Sequence, residues 1–292
     1  KNADTAMYQA KAAGINKIRL YDALMSAEVA EQLQLRDALR RAIDKGQFEV
    51  HYQPQVSYPE ARVADVEALL RWRHPDRGML LPAAFLAAAE QSGLIVPIGQ
   101  WVIEQAIADA CRWREEEIGQ FKVHVNVSPH QLAQPGFIDE MCGLCERFRW
   151  SPTDLGLEIT EGTLIDDLDA VSKTLAQLRR RGFVISLDDF GTGFSSLAYL
   201  KSLPIDRLKI DRSFIRDLPH DAYDRTEVEA TMRIAEHLGL TLVAEGVEKA
   251  GQRDWLIQRG CVHMQGFLFA PALSAEELKA LLQQSSRLFA SG

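Results

Sequence analysis

From residue 48 onward, strand-like and helix-like stretches alternate along the chain, and that alternation restricts the fold more than any other feature. The strand-like stretches are "FEVHYQPQV" (48–56), "RVADVEALLRW" (62–72), "KVHVNVS" (122–128), "LGLEIT" (155–160), "FVISLDD" (183–189), "RLKID" (207–211), "TLVAEGV" (241–247) and "MQGFLFA" (264–270). Between most of them lie helix-like stretches such as "IGQWVIEQAIADACRWREEE", "DDLDAVSKTLAQLRRRG" and "RTEVEATMRIAEHLG". Strands that alternate with helices read as parallel βα units. Eight of them in roughly 240 residues fit a (β/α)8 barrel, which takes about 250. The link between residues 56 and 62 is too short for a crossover helix. A parallel pair needs about a dozen residues there, so strand 1 is expected to run antiparallel to strand 2. The expected fold is therefore α/β, a modified TIM barrel with an antiparallel first strand.

Barrels of this kind place their chemistry at the C-terminal ends of the strands. Strand 2 carries Glu67 and Arg71, strand 3 Asn126, and strand 4 Glu158, with Glu161 just beyond. Strand 5 ends in Asp188 and Asp189, strand 6 carries Lys209 and Asp211, strand 7 Glu245 and then Glu248, and strand 8 Gln265. Singly, each has an ordinary explanation as a turn former, a helix cap or a solvated corner. A charged group inside a strand is nevertheless costly to bury unless something pairs with it. One shared site on one rim explains the whole set at once.

Carboxylates and an amide carbonyl are hard oxygen donors. They suit Mg2+ or Mn2+ better than zinc, which favours Cys and His. His51, His124 and His263 lie in strands but match no metal spacing, and they read as core or rim residues. Closely placed acids repel one another, and two divalent ions about 3.5–4 Å apart would relieve that repulsion. Strict alternation sends Asp188 and Asp189 to opposite faces. Both reach one site only if the chain turns there, and "FGTGFSS" is expected to supply the turn.

The chain has 292 residues and a formal net charge of -8, with 47% hydrophobic and 25% charged residues. This is a globular balance. An acidic surface argues against a long nucleic acid as partner, since phosphate contacts dominate that affinity. It leaves room for a small nucleotide held through cations. The cysteines Cys111, Cys142, Cys145 and Cys261 are too few for a disulfide scaffold and fit a reducing, cytoplasmic setting. The "CGLC" at 142–145 sits in a helix-like stretch, and its thiols are read as structural. No run is long and apolar enough for a membrane helix. The chain does not begin with Met, so it is expected to be a piece of a longer protein, whose parent could be anchored to the inner membrane.

The motifs together resemble the EAL family of cyclic di-GMP phosphodiesterases. "EALLRW" stands at 67–72, with "QPQ" at 53–55, "NVS" at 126–128, "EITE" at 158–161 and "DDFGTGFSS" at 188–196. "KID" follows at 209–211, "AEGVE" at 244–248 and "QGF" at 265–267. The resemblance covers about residues 25–285 and implies hydrolysis of cyclic di-GMP to linear pGpG by a water activated between two divalent cations, Mg2+ or Mn2+. It implies that Glu67, Asn126, Glu158 and Asp188 hold one ion. Asp188 would bridge, with Asp189 and Glu245 on the side of the second. Lys209 is similar to the lysine that touches the attacking water, and whether it acts as general base is open. Gln265 would hold the water network. Gln53, Leu69, Arg71 and Asp211 look like substrate contacts. Glu161 and Glu248 resemble acids that support the 188–196 loop, which in the family couples to dimerisation, so a homodimer is expected.

Residues 3–22, "ADTAMYQAKAAGINKIRLYD", look like the last helix and strand of a GGDEF domain. The implied division is a GGDEF remnant at 1–22, a linker helix at 23–46 and the phosphodiesterase barrel at 47–292. Without the cyclase signature loop, cyclase activity does not belong to this chain. Two other readings compete with catalysis. A receptor of the same family would bind the dinucleotide uncut, but such receptors usually lose metal ligands, and all are kept here. An unrelated metal-dependent barrel lyase would show no affinity for the dinucleotide.

Overall fold

The computed structural model describes residues 23–58, 60, 62–164, 167–191 and 200–284. The expected GGDEF remnant at 1–22 and the loop from residue 192 to 199 lie outside them. In chain order the elements are α1 (Ala23–Asp44), β1 (Phe48–Ser57), β2 (Arg62–His74), β3 (Gly78–Leu80), α2 (Leu86–Gln91), α3 (Ile95–Glu115) and β4 (Lys122–Asn126). There follow α4 (Pro129–Leu132), α5 (Phe137–Phe148), β5 (Leu155–Thr160), α6 (Leu168–Arg180), β6 (Val184–Phe190) and β7 (Arg207–Ile210). The last are α7 (Arg212–Ile215), α8 (Ala222–Leu238), β8 (Thr241–Ala244), α9 (Ala250–Gln258), β9 (His263–Gln265), β10 (Leu273–Ser274) and α10 (Ala275–Gln284).

The sheet order is β10-β1-β9-β8-β7-β6-β5-β4-β2-β3, and β1 also pairs with β2. That last pairing closes β1, β2 and β4 to β9 into a barrel. The pairs from β2 through β4 to β9 are parallel, whereas β1 meets β9 antiparallel with Gln55 opposite Gln265. The short link after β1 thus has the consequence expected of it. The small strands β3 and β10 were not expected; both are antiparallel additions at the two ends of the order.

The chain divides into two units, Lys1–Glu49 with Arg71–Ile98, and Val50–Leu70 with Gly99–Gly292. In the first, Trp72 is fully buried, meets Phe85 edge-on and gives its indole N–H to Gln47. In the second, strand alternation separates two faces. Val66, Val123, Val125, Leu157, Ile185, Leu187 and Leu208 are all buried, and next to most of them along the strands stand the polar groups Asp65, Glu67, His124, Asn126, Glu158, Asp188, Arg207 and Lys209, which meet inside the barrel. Outside β7, β8 and β9, Ile210, Ala244 and Met264 pack with Ile215, Leu218, Val228 and Trp255. Each large apolar side chain buried in this way contributes roughly 1.5–3 kcal/mol.

The last expected strand, 264–270, is cut to His263–Gln265. Gly266 lies so close to the Val247 backbone that a Cβ there would overlap it. Leu268 then donates its N–H to the Val247 carbonyl at 3.0 Å, which turns the chain out of the sheet. Among the described residues no helix is long and apolar enough to cross a membrane. All four cysteines are free, and Cys142 and Cys145 lie on α5 as read from the sequence.

Two glycines give opposite expectations. At Gly156 on β5, a Cβ would collide with the buried His124 ring, so Gly156→Ala should destabilise by about 1–3 kcal/mol. Gly143 on α5 has nothing within 4 Å of that position, so Gly143→Ala should instead gain roughly 0.5–1 kcal/mol. Denaturant midpoints of the two variants measure the contrast.

Candidate functional site

The polar residues that end the strands do converge. Parallel register puts Asn126 opposite Glu158, and strand alternation brings Glu67, Asp188 and Lys209 onto the same inner face. Lys209 is 1% exposed, and its ammonium donates to Glu158 Oε2 at 2.6 Å and contacts Glu245 Oε1 at 2.6 Å. It also reaches Glu67 Oε2 and Asp188 Oδ2, each at 3.3 Å. Glu67, Glu158 and Asp188 are buried and each offers an oxygen within 4.8 Å of the others.

Neutral donors steady this group. Asn126 gives its amide N–H to Glu67 Oε1 at 2.8 Å, which leaves the Asn126 carbonyl oxygen for another partner. Gln265 donates to Glu67 Oε2 at 2.7 Å and to Gln53 Oε1 at 3.0 Å. The loop after Asn126 is fixed by a reciprocal cap, in which Ser128 accepts from the Gln131 backbone and Gln131 accepts from that of Ser128.

Asp189 joins the site in a way the sequence placed slightly wrong. The register between β6 and β7 shifts between Leu187 and Phe190, and Asp189 itself is left-handed with φ at 55°. The turn that alternation demanded therefore begins at Asp189 and continues at Gly191, φ 98°, the first glycine of the stretch expected to make it. Asp, whose short polar side chain tolerates this conformation, fits that position. Its N–H donates to Asp188 Oδ1 at 2.9 Å.

The other candidates are distributed more widely. Asp211 is half-buried and caps α7 through the Ser213 N–H at 2.9 Å. Leu69 is half-buried on β2. Arg71 is half-buried and falls in the other unit. Glu161 is buried at the start of a short 3-10 turn, whereas Glu248 is exposed and its N–H is taken by Gln252.

Reading strand ends missed a second polar layer beneath the first. Arg207 donates to Asp65 at 2.6 Å, meets His124 Nε2 at 2.7 Å and donates to Gln55 at 3.0 Å. His124 is fully buried. Burial, and then the Arg207 charge, push its pKa down to about 4, so the ring is neutral.

The upper layer carries more negative charge than its lysine can balance. Burial raises Glu158 well above the ordinary carboxylate range, although Lys209 opposes it. Burial raises Glu245 to about 8, again against Lys209. Burial and then the neighbouring Asp188 raise Asp189. Glu67 goes the other way: burial works against its charge, but Lys209, Gln265 and Asn126 hold it below the usual value. Lys209 stays an ammonium, because the four acids outweigh the cost of its burial. A donor set of hard oxygens with surplus negative charge fits a divalent cation. Asp188, Glu158, Glu67, Glu245 and the Asn126 carbonyl are the groups that could hold one.

Comparison with known proteins agrees with this geometry. The family described as the EAL domain matches residues 36–272. The chain is 44% identical over 279 residues to "Bifunctional diguanylate cyclase/cyclic di-GMP phosphodiesterase MucR" of Pseudomonas aeruginosa, covering 96% of this chain and 41% of that protein. It is 37% identical over 275 residues to "Cyclic di-GMP phosphodiesterase PdeR" of Escherichia coli, covering 94% of this chain and 41% of the relative. The chain thus spans about two fifths of the length of these curated relatives. Among solved structures, "PaMucR Phosphodiesterase, c-di-GMP complex" superposes with a TM-score of 0.80 at 44% identity, covering 84% of this chain and 99% of that one.

Cation binding should release protons. Glu245, its pKa raised to about 8, holds a proton near neutral pH, and a divalent cation favours its ionised form. Apparent Mn2+ affinity should therefore rise from about pH 6 to about pH 8. Calorimetry in buffers of different ionisation enthalpy should count protons leaving the site.

Proposed function

The chain belongs to the EAL domain family, and we propose that it is a metal-dependent phosphodiesterase that hydrolyses cyclic di-GMP to linear pGpG. The observation that carries this reading is the buried cluster of Glu67, Glu158 and Asp188 gathered round Lys209. The names of its relatives, and the structural neighbour described as a complex with c-di-GMP, support the substrate.

In this reading Glu67, Asn126, Glu158 and Asp188 hold one divalent cation, and Asp188, Asp189 and Glu245 serve a second. Bound there, such ions supply Lewis acidity and lower the pKa of water. The chain's own groups arrange the rest. Lys209, held as an ammonium by its acids, can donate a hydrogen bond to an attacking water. A base role would first require it to lose a proton, which the carboxylates alone oppose and cations bound among them would favour. Gln265 links Glu67 to Gln53 and keeps both side chains aimed at the same space.

Gln53, Leu69 and Asp211 are assigned to the substrate, as is Arg71, whose forked donors suit a phosphate. Those roles rest on their places in the motifs. The support of the 188–196 loop by Glu161 and Glu248, the homodimer, the choice between Mg2+ and Mn2+ and the division into a remnant at 1–22, a helix at 23–46 and a barrel at 47–292 also follow from the resemblance, and a cytoplasmic setting from the few cysteines.

Purified chain should convert cyclic di-GMP to pGpG with Mg2+ or Mn2+ and stop on chelation. Glu67→Ala should abolish turnover while sparing much of the nucleotide binding. Arg71→Ala should weaken binding by about 1.5–3 kcal/mol, the scale of a charge-assisted contact. Binding without any product would make the chain a receptor, and no binding at all would remove the substrate.

A further inference from the structure

Arg207 stands two residues below Lys209 on β7, inside the barrel and 6% exposed. A guanidinium has donors and no acceptor. Every group it meets must therefore turn an acceptor towards it. Its Nη1 donates to Asp65 Oδ2 at 2.6 Å and lies 2.7 Å from His124 Nε2, while Nη2 donates to Gln55 Oε1 at 3.0 Å.

Those contacts fix two directions of hydrogen bonding. With Nε2 of His124 accepting from a group that can only donate, a singly protonated ring must carry its proton on Nδ1. That nitrogen faces Glu158 Oε1 at 3.3 Å. Neither atom has a hydrogen-bond partner among the described residues, so a proton on Nδ1 would face the one Glu158 oxygen that lacks a donor. Gly156, opposite His124 in the register, leaves the room for the ring to lie there. On the other side, Gln55 turns its oxygen to Arg207 and so gives its amide N–H to Gln265 Oε1 at 3.0 Å. Gln265 must then give its own N–H to Glu67 Oε2 at 2.7 Å. If either amide were reversed, two oxygens would confront each other in a buried setting, at a cost near that of an unsatisfied polar group.

We propose that Arg207 is a positioning residue that sets the polarity of both chains, so that Glu158 and Glu67 each receive a donor from below and hold their remaining oxygens in place for a cation. Asp65, itself buried, neutralises Arg207 and keeps this lower layer from adding net charge to the site. The proposal rests on the reading of Glu67 and Glu158 as cation ligands, but its first test does not.

That test uses the native chain with nitrogen-15 in its histidines, the His124 ring being assigned by the signals lost in His124→Asn. The expected spectrum at neutral pH shows the proton on Nδ1 and a bare Nε2. A proton on Nε2, or an imidazolium, overturns the proposal whatever any variant does. The second arm removes the ion pair as a pair, Asp65→Leu with Arg207→Met, because loss of one partner would leave a buried charge unpaired. In the folded double variant, Mn2+ affinity, titrated without nucleotide, should fall about tenfold or more, the scale for groups that orient metal ligands. A folded double variant with native Mn2+ affinity overturns the proposal. A double variant that does not fold leaves the native ring spectrum to decide. Failure of the native chain to bind Mn2+ would refute the cation reading, and the tautomer would still report separately on Arg207.

Discussion

The side chains of Glu67, Glu158, Asp188 and Glu245 meet the ammonium of Lys209 inside a closed barrel. Bringing so many charges out of water is expensive, and one cation among four acids does not offset it. Part of the imbalance is absorbed by protonation, towards which burial pushes Glu158 and Glu245. Part is absorbed by amide donors from Asn126 and Gln265. The remainder is an appetite for further positive charge. The rest of the barrel serves to keep these groups together. Apolar residues on the outward faces anchor the strands, which leaves the inward faces free to carry polar side chains.

A regular (β/α)8 barrel fills its interior with layers of bulky apolar residues. This one stacks two polar layers, and the two differ in charge balance. In the lower, Arg207 and Asp65 neutralise one another, His124 is neutral, and Gln55 completes the hydrogen bonds. In the upper, acids exceed cations. Burial is comparable in both, so burial alone does not mark a reactive site. The unbalanced layer is the one where added cations would be held, and the balanced layer beneath can hold it in register without competing for those cations. The antiparallel β1 matters for the same reason. Its reversed direction places Gln55 beside Gln265, so a single pair of amides connects the two layers.

Much of this was legible in the sequence. The alternation of strands and helices, the reversed first strand and the convergence of Glu67, Asn126, Glu158, Asp188, Lys209 and Gln265 all follow from period, loop length and the position of polar residues within apolar runs. Three features did not follow. The last strand ends at Gln265 because the chain turns at Gly266 against the Val247 backbone, a contact between segments that local propensity does not register. The turn that brings in Asp189 begins on Asp189 itself, where the pairing with the neighbouring strand slips its register, two residues before the left-handed Gly191 of the expected stretch. His124, read as a core or rim residue, is indeed buried, but its contact with Arg207 was not foreseen because no metal spacing drew attention to it.

The lower layer nonetheless had a signal in the sequence. Asp65 stands two residues before Glu67, His124 two before Asn126, Arg207 two before Lys209, and Gln53 two before Gln55. Strand alternation puts each such pair on one face. Once the later members of the first three pairs are assigned to the barrel interior, the earlier ones must be there too, one layer deeper. A buried Arg and Asp at the same depth on different strands require each other. A buried His between them and an acid above must then take the tautomer that the Arg permits. The direction of the hydrogen bonds, unlike the presence of the residues, depends on which groups touch across 83 to 210 residues of chain, and only the folded barrel shows that.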